Sequence, residues 1–270
     1  MKSSIIQRDI WDRTWKEMLE IGTFPETELY DIQWHKFLID EIGERVDFSE
    51  YKRMLECGCG NGIFGLEFAN RFPFLQLYLS DLSPAALKYS RALLQQCIKK
   101  RPKENFKKLE IRYGIEDMFN LKYRNDFFDF VVNGGSLEHY SDKEINLLLN
   151  EMLRVVKPTG AVVIAVPNIR NFDLTIKRIK LFIRDNAYGL LLKNMLDYGG
   201  NDERDITFTK LKTLTEKNKN VKSIRYVKHP IAYPGFIPRT MVNSRIAIIF
   251  EKLLVQLGFN WANIFIVKKS

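Results

Sequence analysis

Between Glu56 and Gly65 the chain reads ECGCGNGIFG, an acid followed by glycines at alternate positions 58, 60 and 62. Glycine tolerates positive φ and lets backbone N–H groups come close to a ligand, where a Cβ would block the approach. Before this turn, Met54 and Leu55 are apolar and predict a strand over Lys52 to Cys57, with Glu56 at its carboxyl end. Open parallel sheets bind their ligands at such ends. After the turn, Ile63, Leu66 and Phe68 predict a helix over Ile63 to Arg71. A strand, a glycine turn and a helix in that order suit the mouth of a site for a nucleoside-bearing cofactor.

Two cofactor classes compete for this turn. Gly60, Gly62 and Gly65 satisfy G-x-G-x-x-G, the dinucleotide fingerprint, in which a pyrophosphate sits on the helix N-terminus. Glu56 favours the other class, because a carboxylate there suits a ligand carrying an ammonium and a sulfonium better than a pyrophosphate. As E-x-G-x-G-x-G, Glu56 to Gly62 resembles the first motif of the class I S-adenosylmethionine-dependent methyltransferases. That resemblance implies S-adenosylmethionine as cofactor, held by Glu56, Gly58, Cys59 and Gly60. An NAD(P)-dependent oxidoreductase and a non-catalytic S-adenosylmethionine-binding protein are the rival readings.

Further acids stand at the ends of later strands. Asp81 closes LYLSD about twenty residues beyond the glycines, the spacing at which an acid meets the hydroxyls of a bound ribose. Leu82 beside it joins the expected cofactor set, and Ser83 with Pro84 reads as a helix cap and first turn. The resemblance implies an acid after the third strand for the adenine amino group; here Ile115 holds that place, and Glu116 or Asp117 follows as the candidate. DFFDFVVNGGSLEHYSD resembles the F-D-x-V-x strand and L-E-H loop of the same family, which places Asn133 near the methionine part of the cofactor. LRVVKPTGAVVIAVPN resembles the helix, K-P-x-G turn and fifth strand that close its core.

His139 is the candidate general base, since a neutral imidazole could take a proton from a hydroxyl acceptor. Its structural alternative is a loop histidine that caps the next helix. Some quinone-biosynthesis O-methyltransferases use E-x-x-E-H here as metal ligands, but Gly135 stands where the first acid would be, so no metal is expected. Cys57, Cys59 and Cys97 are too few for a disulfide framework or a four-cysteine zinc site.

The surrounding elements must position these groups. Ile5 to Ile21 and Glu28 to Ile42 read as amphipathic helices before the first strand, and Trp11 and Trp15 either line the pocket or serve plain packing. Strands at Leu75 to Ser80, Lys108 to Tyr113, Phe127 to Asn133 and Ala161 to Val166 alternate with helices at Pro84 to Lys99 and Lys143 to Val155. Such alternation predicts a mostly parallel sheet with helices on both faces. Later signals are a helix at Thr207 to Asn218, a strand at Val221 to Lys228, a helix at Arg239 to Leu257 and a strand at Phe259 to Val267. The resemblance implies a Rossmann-like α/β sheet of seven strands, the last inserted antiparallel. It also implies an N-terminal helical lid over residues 1–50, a cofactor-binding core over 51–168, a helical cap inserted after the fifth strand over 169–220, and completion of the sheet over 221–270.

Hydrophobic residues make up 46% of the 270, enough for a core, yet no apolar run reaches the roughly 18 residues of a membrane span. MKSSIIQRDIWDR lacks a signal-peptide apolar region, so a soluble, cytoplasmic protein is expected. The net charge is +9, and residues 169–270 carry about twice as many bases as acids. In the cap, LTIKRIKLFIR reads as a basic amphipathic helix that suits an anionic or amphiphilic small-molecule acceptor or peripheral contact with an anionic membrane, or else as a lid packed on the core with snorkelling lysines. Nucleic acid is disfavoured as acceptor: NGGS replaces the N/D-P-P-Y that base amino methylases resemble, and no Pro-Cys supplies a thiolate. The sequence leaves the oligomeric state open.

Overall fold

The computed structural model describes residues 2–22, 24, 33–102, 104–167, 208–228, 249, 253 and 262–270. Two helices, α1 (Lys2–Ile21) and α2 (Gln33–Gly43), lead into β1 (Arg53–Cys57), α3 (Ile63–Arg71), β2 (Gln76–Asp81) and α4 (Pro84–Lys100). There follow β3 (Glu110–Ile115), β4 (Phe128–Gly134), α5 (Asp142–Val155), β5 (Val156–Pro167), α6 (Phe208–Glu216), β6 (Val221–Lys228) and β7 (Ala262–Lys269). They build one sheet of order β3-β2-β1-β4-β5-β7-β6, in which β7 runs antiparallel to both its neighbours. This is the seven-stranded, mostly parallel sheet that the alternation of strand and helix signals predicts.

The strands are apolar on both faces because helices cover both. Side chains alternate faces along a strand, and the core divides accordingly. Met54, Phe130, Val132, Val163 and Ile264 meet Ile39 and Ile42 of α2, Leu66 and Phe68 of α3, and Leu93 of α4. Leu55, Val131, Val162, Ile164 and Phe265 point the other way, onto Ile145, Leu149 and Met152 of α5 and Leu211 of α6. Parallel strands buried on two faces read as continuous apolar runs, which is how β4 and β5 appear in the sequence.

Caps fix where the helices begin. Ser83 caps α4, accepting the Ala86 N–H at 3.0 Å, with Pro84 in the first turn. Ser141 caps α5 in a reciprocal box: its N–H donates to Glu144 Oε2 at 2.9 Å and its hydroxyl accepts the Glu144 N–H. Such a cap stabilises by about 1 kcal/mol. Ser141, not His139, is therefore the cap of α5.

At the amino end of the sheet, Asp129 of the F-D-x-V segment ties three elements together. Its Oδ2 accepts the N–H groups of Lys52 and Arg53 at 2.9 and 2.8 Å, and Lys157 Nζ lies at its Oδ1. Burial works against this carboxylate, but the Lys157 ammonium and the two N–H donors hold it below the usual range. One expectation changes here. The K-P-x-G segment is not a turn before the fifth strand but a bulge within it, because Phe128 pairs with Val156 and Phe130 already with Ala161. Gly160 is needed at this bulge: a Cβ would stand 2.5 Å from the Asp129 carbonyl oxygen.

The expected cap helix at residues 174–184 and most of the helix expected at Arg239 to Leu257 lie outside the described residues. Among the described residues no helix is long and apolar enough to cross a membrane.

Candidate functional site

The carboxyl ends of β1, β2 and β4 open into a cavity of about 240 Å³. Its floor is Gly58, Cys59, Gly60, Asn61, Asp81 and Leu82. Gly58 and Gly60 adopt φ of 65° and 51°, and Gly62 adopts 73° as the residue capping α3. A Cβ on Gly58 would stand 2.7 Å from Ser136 Oγ, and one on Gly60 would stand 3.0 Å from the Trp15 ring. These glycines therefore permit both the turn and the close approach of other groups to it.

Asp81 holds the turn in place. Its Oδ2 accepts the Gly60 N–H and its Oδ1 the Ser83 N–H, both at 2.9 Å. Burial raises this carboxyl above its ordinary range, and the N–H groups of Ser83, Gly60 and Leu82 oppose that rise. Each oxygen keeps lone-pair capacity beyond these bonds, so the group can still accept from a ligand hydroxyl.

Of the site residues expected from sequence, Gly58, Cys59, Gly60, Asp81, Leu82 and His139 line the cavity. Glu56, Glu116, Asp117 and Asn133 do not. Glu56 lies beneath the turn, 3% exposed, and its Oε2 accepts the Gly65 N–H in the first turn of α3 at 2.8 Å. Burial, offset in part by that N–H and reinforced by the nearby Asp81 charge, pushes its carboxyl up to about 8. In this structure the carboxyl faces the Gly65 N–H and not the cavity. Glu56 bears on the cofactor class by another route, since it occupies the Gly65 N–H while Asn61 Oδ1 occupies the Ile63 N–H at 3.1 Å. Two donors that a pyrophosphate on the α3 N-terminus could use are thus already engaged.

Asn133 is fully buried; its Nδ2 donates to the Cys57 carbonyl at 2.7 Å, which braces β4 against the start of the glycine turn. Glu116 accepts the Lys122 N–H at 3.3 Å and Asp117 accepts the Phe119 N–H at 2.9 Å, so both acids fold into their own loop. Ile115, opposite Asp81 across the sheet, is 53% exposed, so an apolar side chain stands where the resemblance puts an acid.

The remaining walls come from residues without a motif. Met118, Gly134, Gly135, Ser136, His139 and Tyr140 close one side. Gln7, Arg8, Trp11 and Trp15 of α1 form the roof. Positions 8, 11 and 15 fall on one helical stripe, the signal that could have marked them together. The Trp11 ring meets His139 edge-on at 5.4 Å, and the Trp15 ring meets Tyr89 at 5.2 Å. Asp12, between them on α1, accepts the Ser83 hydroxyl at 2.7 Å and pairs with Lys16 at 2.8 Å. Tyr140 is buried, and that burial pushes its phenol well above the ordinary range.

Comparison with known proteins agrees with this geometry. Residues 54–160 match the family described as a methyltransferase domain. The chain is 29% identical over 129 residues to norajmaline N-methyltransferase of Rauvolfia serpentina, covering 48% of this chain and 40% of that one. It is 29% identical over 113 residues to demethylmenaquinone methyltransferase of Deinococcus radiodurans, covering 42% of each. The matched stretch thus spans about two-fifths of these relatives' length. In fold it resembles the crystal structure of magnesium protoporphyrin IX methyltransferase from Synechocystis PCC 6803 with bound SAH. The TM-score there is 0.54 at 13% identity, over 98% of this chain and 99% of that one. Over residues 54–160 the chain thus resembles a methyltransferase domain, and its sheet shares the fold of a methyltransferase that holds SAH.

Proposed function

We propose that this chain, built around that methyltransferase domain, transfers the methyl group of S-adenosylmethionine to a small-molecule acceptor. The observation that carries the reading is the Gly58–Gly60 backbone, turned into the cavity and tied to the Asp81 carboxylate. That floor fits a nucleoside: the Cβ-free turn lets a ligand approach the backbone, and Asp81 offers oxygens to ribose hydroxyls. Leu82 and Met118 on the cavity wall give apolar faces for a purine ring. Asn133 acts through Cys57 by holding the turn, and Glu56 by holding the first turn of α3.

When bound, S-adenosylmethionine supplies a methyl group already activated on a positive sulfur. The protein's task is then alignment and exclusion of water. Trp11 and Trp15 cover the cavity from above. The His139 imidazole, on the cavity wall against Trp11, accepts the proton of a hydroxyl or amine acceptor. The engaged Ile63 and Gly65 N–H groups weigh against the nicotinamide dinucleotide alternative.

A small-molecule acceptor is supported by the names of the similar proteins, which are methyltransferases of norajmaline, demethylmenaquinone and magnesium protoporphyrin IX. The excess of basic residues in 169–270 supports an anionic or amphiphilic one, with peripheral contact to anionic lipid as a corollary that vesicle sedimentation tests. The decisive assay incubates the purified chain with methyl-labelled S-adenosylmethionine and fractionated small-molecule extracts. Label should pass to a small-molecule fraction with matching release of S-adenosylhomocysteine. Binding of the cofactor with no turnover in any fraction would instead support the non-catalytic reading.

A further inference from the structure

A chain of hydrogen bonds runs from the roof of the cavity to its floor. On α1, Lys16 Nζ pairs with Asp12 Oδ2 at 2.8 Å. Asp12 Oδ1 accepts the Ser83 hydroxyl at 2.7 Å and the Ala85 N–H at 3.2 Å, so a carboxylate from α1 stands at the N-terminus of α4. The positive end of the α4 dipole favours a negative charge there. Ser83 in turn donates its N–H to Asp81 Oδ1 at 2.9 Å, and Asp81 Oδ2 accepts the Gly60 N–H. About one turn further along α1, the Trp15 ring stands against Gly60 itself.

The cavity lies between the glycine turn and α1, so a ligand seated on Gly58, Gly60 and Asp81 also meets the helix that Asp12 docks. Asp12 is only 19% exposed, so breaking its bonds without a replacement is costly.

We propose that Asp12 is a positioning residue which docks α1 onto the cofactor site through Ser83 and thereby couples closure of α1 to ligand binding at Asp81. This rests on the reading of the cavity as the cofactor site. Because such coupling is reciprocal, a bound ligand tightens α1 by the same factor by which a docked α1 tightens the ligand.

The test uses S-adenosylhomocysteine as probe on the full chain. In the wild-type chain, hydrogen exchange of the α1 amides should slow at least about fivefold when the probe binds. Asp12→Ala should raise the dissociation constant about tenfold or more, mainly through a faster koff. Asp12→Asn keeps an acceptor oxygen for Ser83 and Ala85 and should restore affinity to within about threefold. That rescue separates positioning from plain stabilisation, in which both variants would lower Tm while the folded fraction bound as the wild type does. Wild-type affinity in Asp12→Ala, or α1 exchange unchanged by the probe, overturns the coupling. The exchange experiment decides the matter even where Asp12→Ala does not fold. A wild-type chain that fails to bind S-adenosylhomocysteine at all would instead remove the cofactor reading, and the coupling with it.

Discussion

The floor and the roof of the cavity are built in different ways. The floor is backbone: Gly58 and Gly60 at positive φ, anchored by Asp81 and continuous with strands buried on both faces. The roof is side chains, Trp11 and Trp15, carried on a helix docked through Asp12 and ring contacts. Backbone positions fixed by the core leave little freedom of residue type, whereas a docked helix can change its surface without changing the fold. The floor should accordingly fix the cofactor, and the roof should tune access to it.

The largest effect is expected from Gly62→Ala. Its φ is 73° and the new Cβ would stand 2.4 Å from Ser90 Oγ and 3.0 Å from Leu79 Cδ1, both interior. A loss of about 3 kcal/mol of stability, together with loss of cofactor binding, should appear in denaturant titration and calorimetry. Wild-type stability would mean that the floor is far softer than its contacts imply. Next, Asp81→Ala removes the acceptor for Gly60 and Ser83 and for the ribose, so affinity for S-adenosylmethionine should fall about 10- to 100-fold.

Glu56 tests the layer under the floor. Its carboxyl sits at about 8 in the folded chain against 4.5 unfolded, so the folded state holds an extra proton between those values. Stability therefore declines as pH rises from about 5 to about 8. Glu56→Gln keeps an acceptor for the Gly65 N–H but does not titrate, and should remove most of that decline. Asp81, also raised by burial, adds a slope of the same sign that persists in the variant. Superimposable Tm-against-pH curves would place Glu56 in a wetter site than this one.

The smallest effect probes the contact between floor and roof. Gly60→Ala brings a Cβ to 3.0 Å from Trp15, while its positive φ costs the same whatever the roof does. In a double-mutant cycle Trp15→Ala should relieve the steric part alone, a coupling of about 1 kcal/mol in cofactor affinity. Additivity would show that Trp15 does not bear on Gly60 in solution.

Much of this was legible in the sequence because it depends on periodicity and on glycine. The alternation of apolar strands with amphipathic helices marked every element of the sheet, and Gly58, Gly60, Asp81 and Leu82 all lie on the floor. Side-chain direction was not legible. Glu56, Glu116 and Asp117 sit at or just beyond strand ends, but each is drawn to a local N–H group, of Gly65, Lys122 and Phe119 respectively. Position at a strand end is a matter of pattern; the N–H that captures a carboxylate is a matter of loop conformation. Trp11 and Trp15 read more readily as packing than as lining, and the structure places them in both roles, against rings and over the cavity. Met118 and Tyr140 carried no motif, since nothing but their loops' paths brings them to the wall.

The central claim is that this floor holds S-adenosylmethionine and not a dinucleotide. Equilibrium dialysis of the purified chain against S-adenosylmethionine and against NADH at matched concentrations tests it most directly. Saturable binding of S-adenosylmethionine, weakened in Asp81→Ala, with no retention of NADH is the result expected. Retention of NADH with S-adenosylmethionine passing freely would contradict the account.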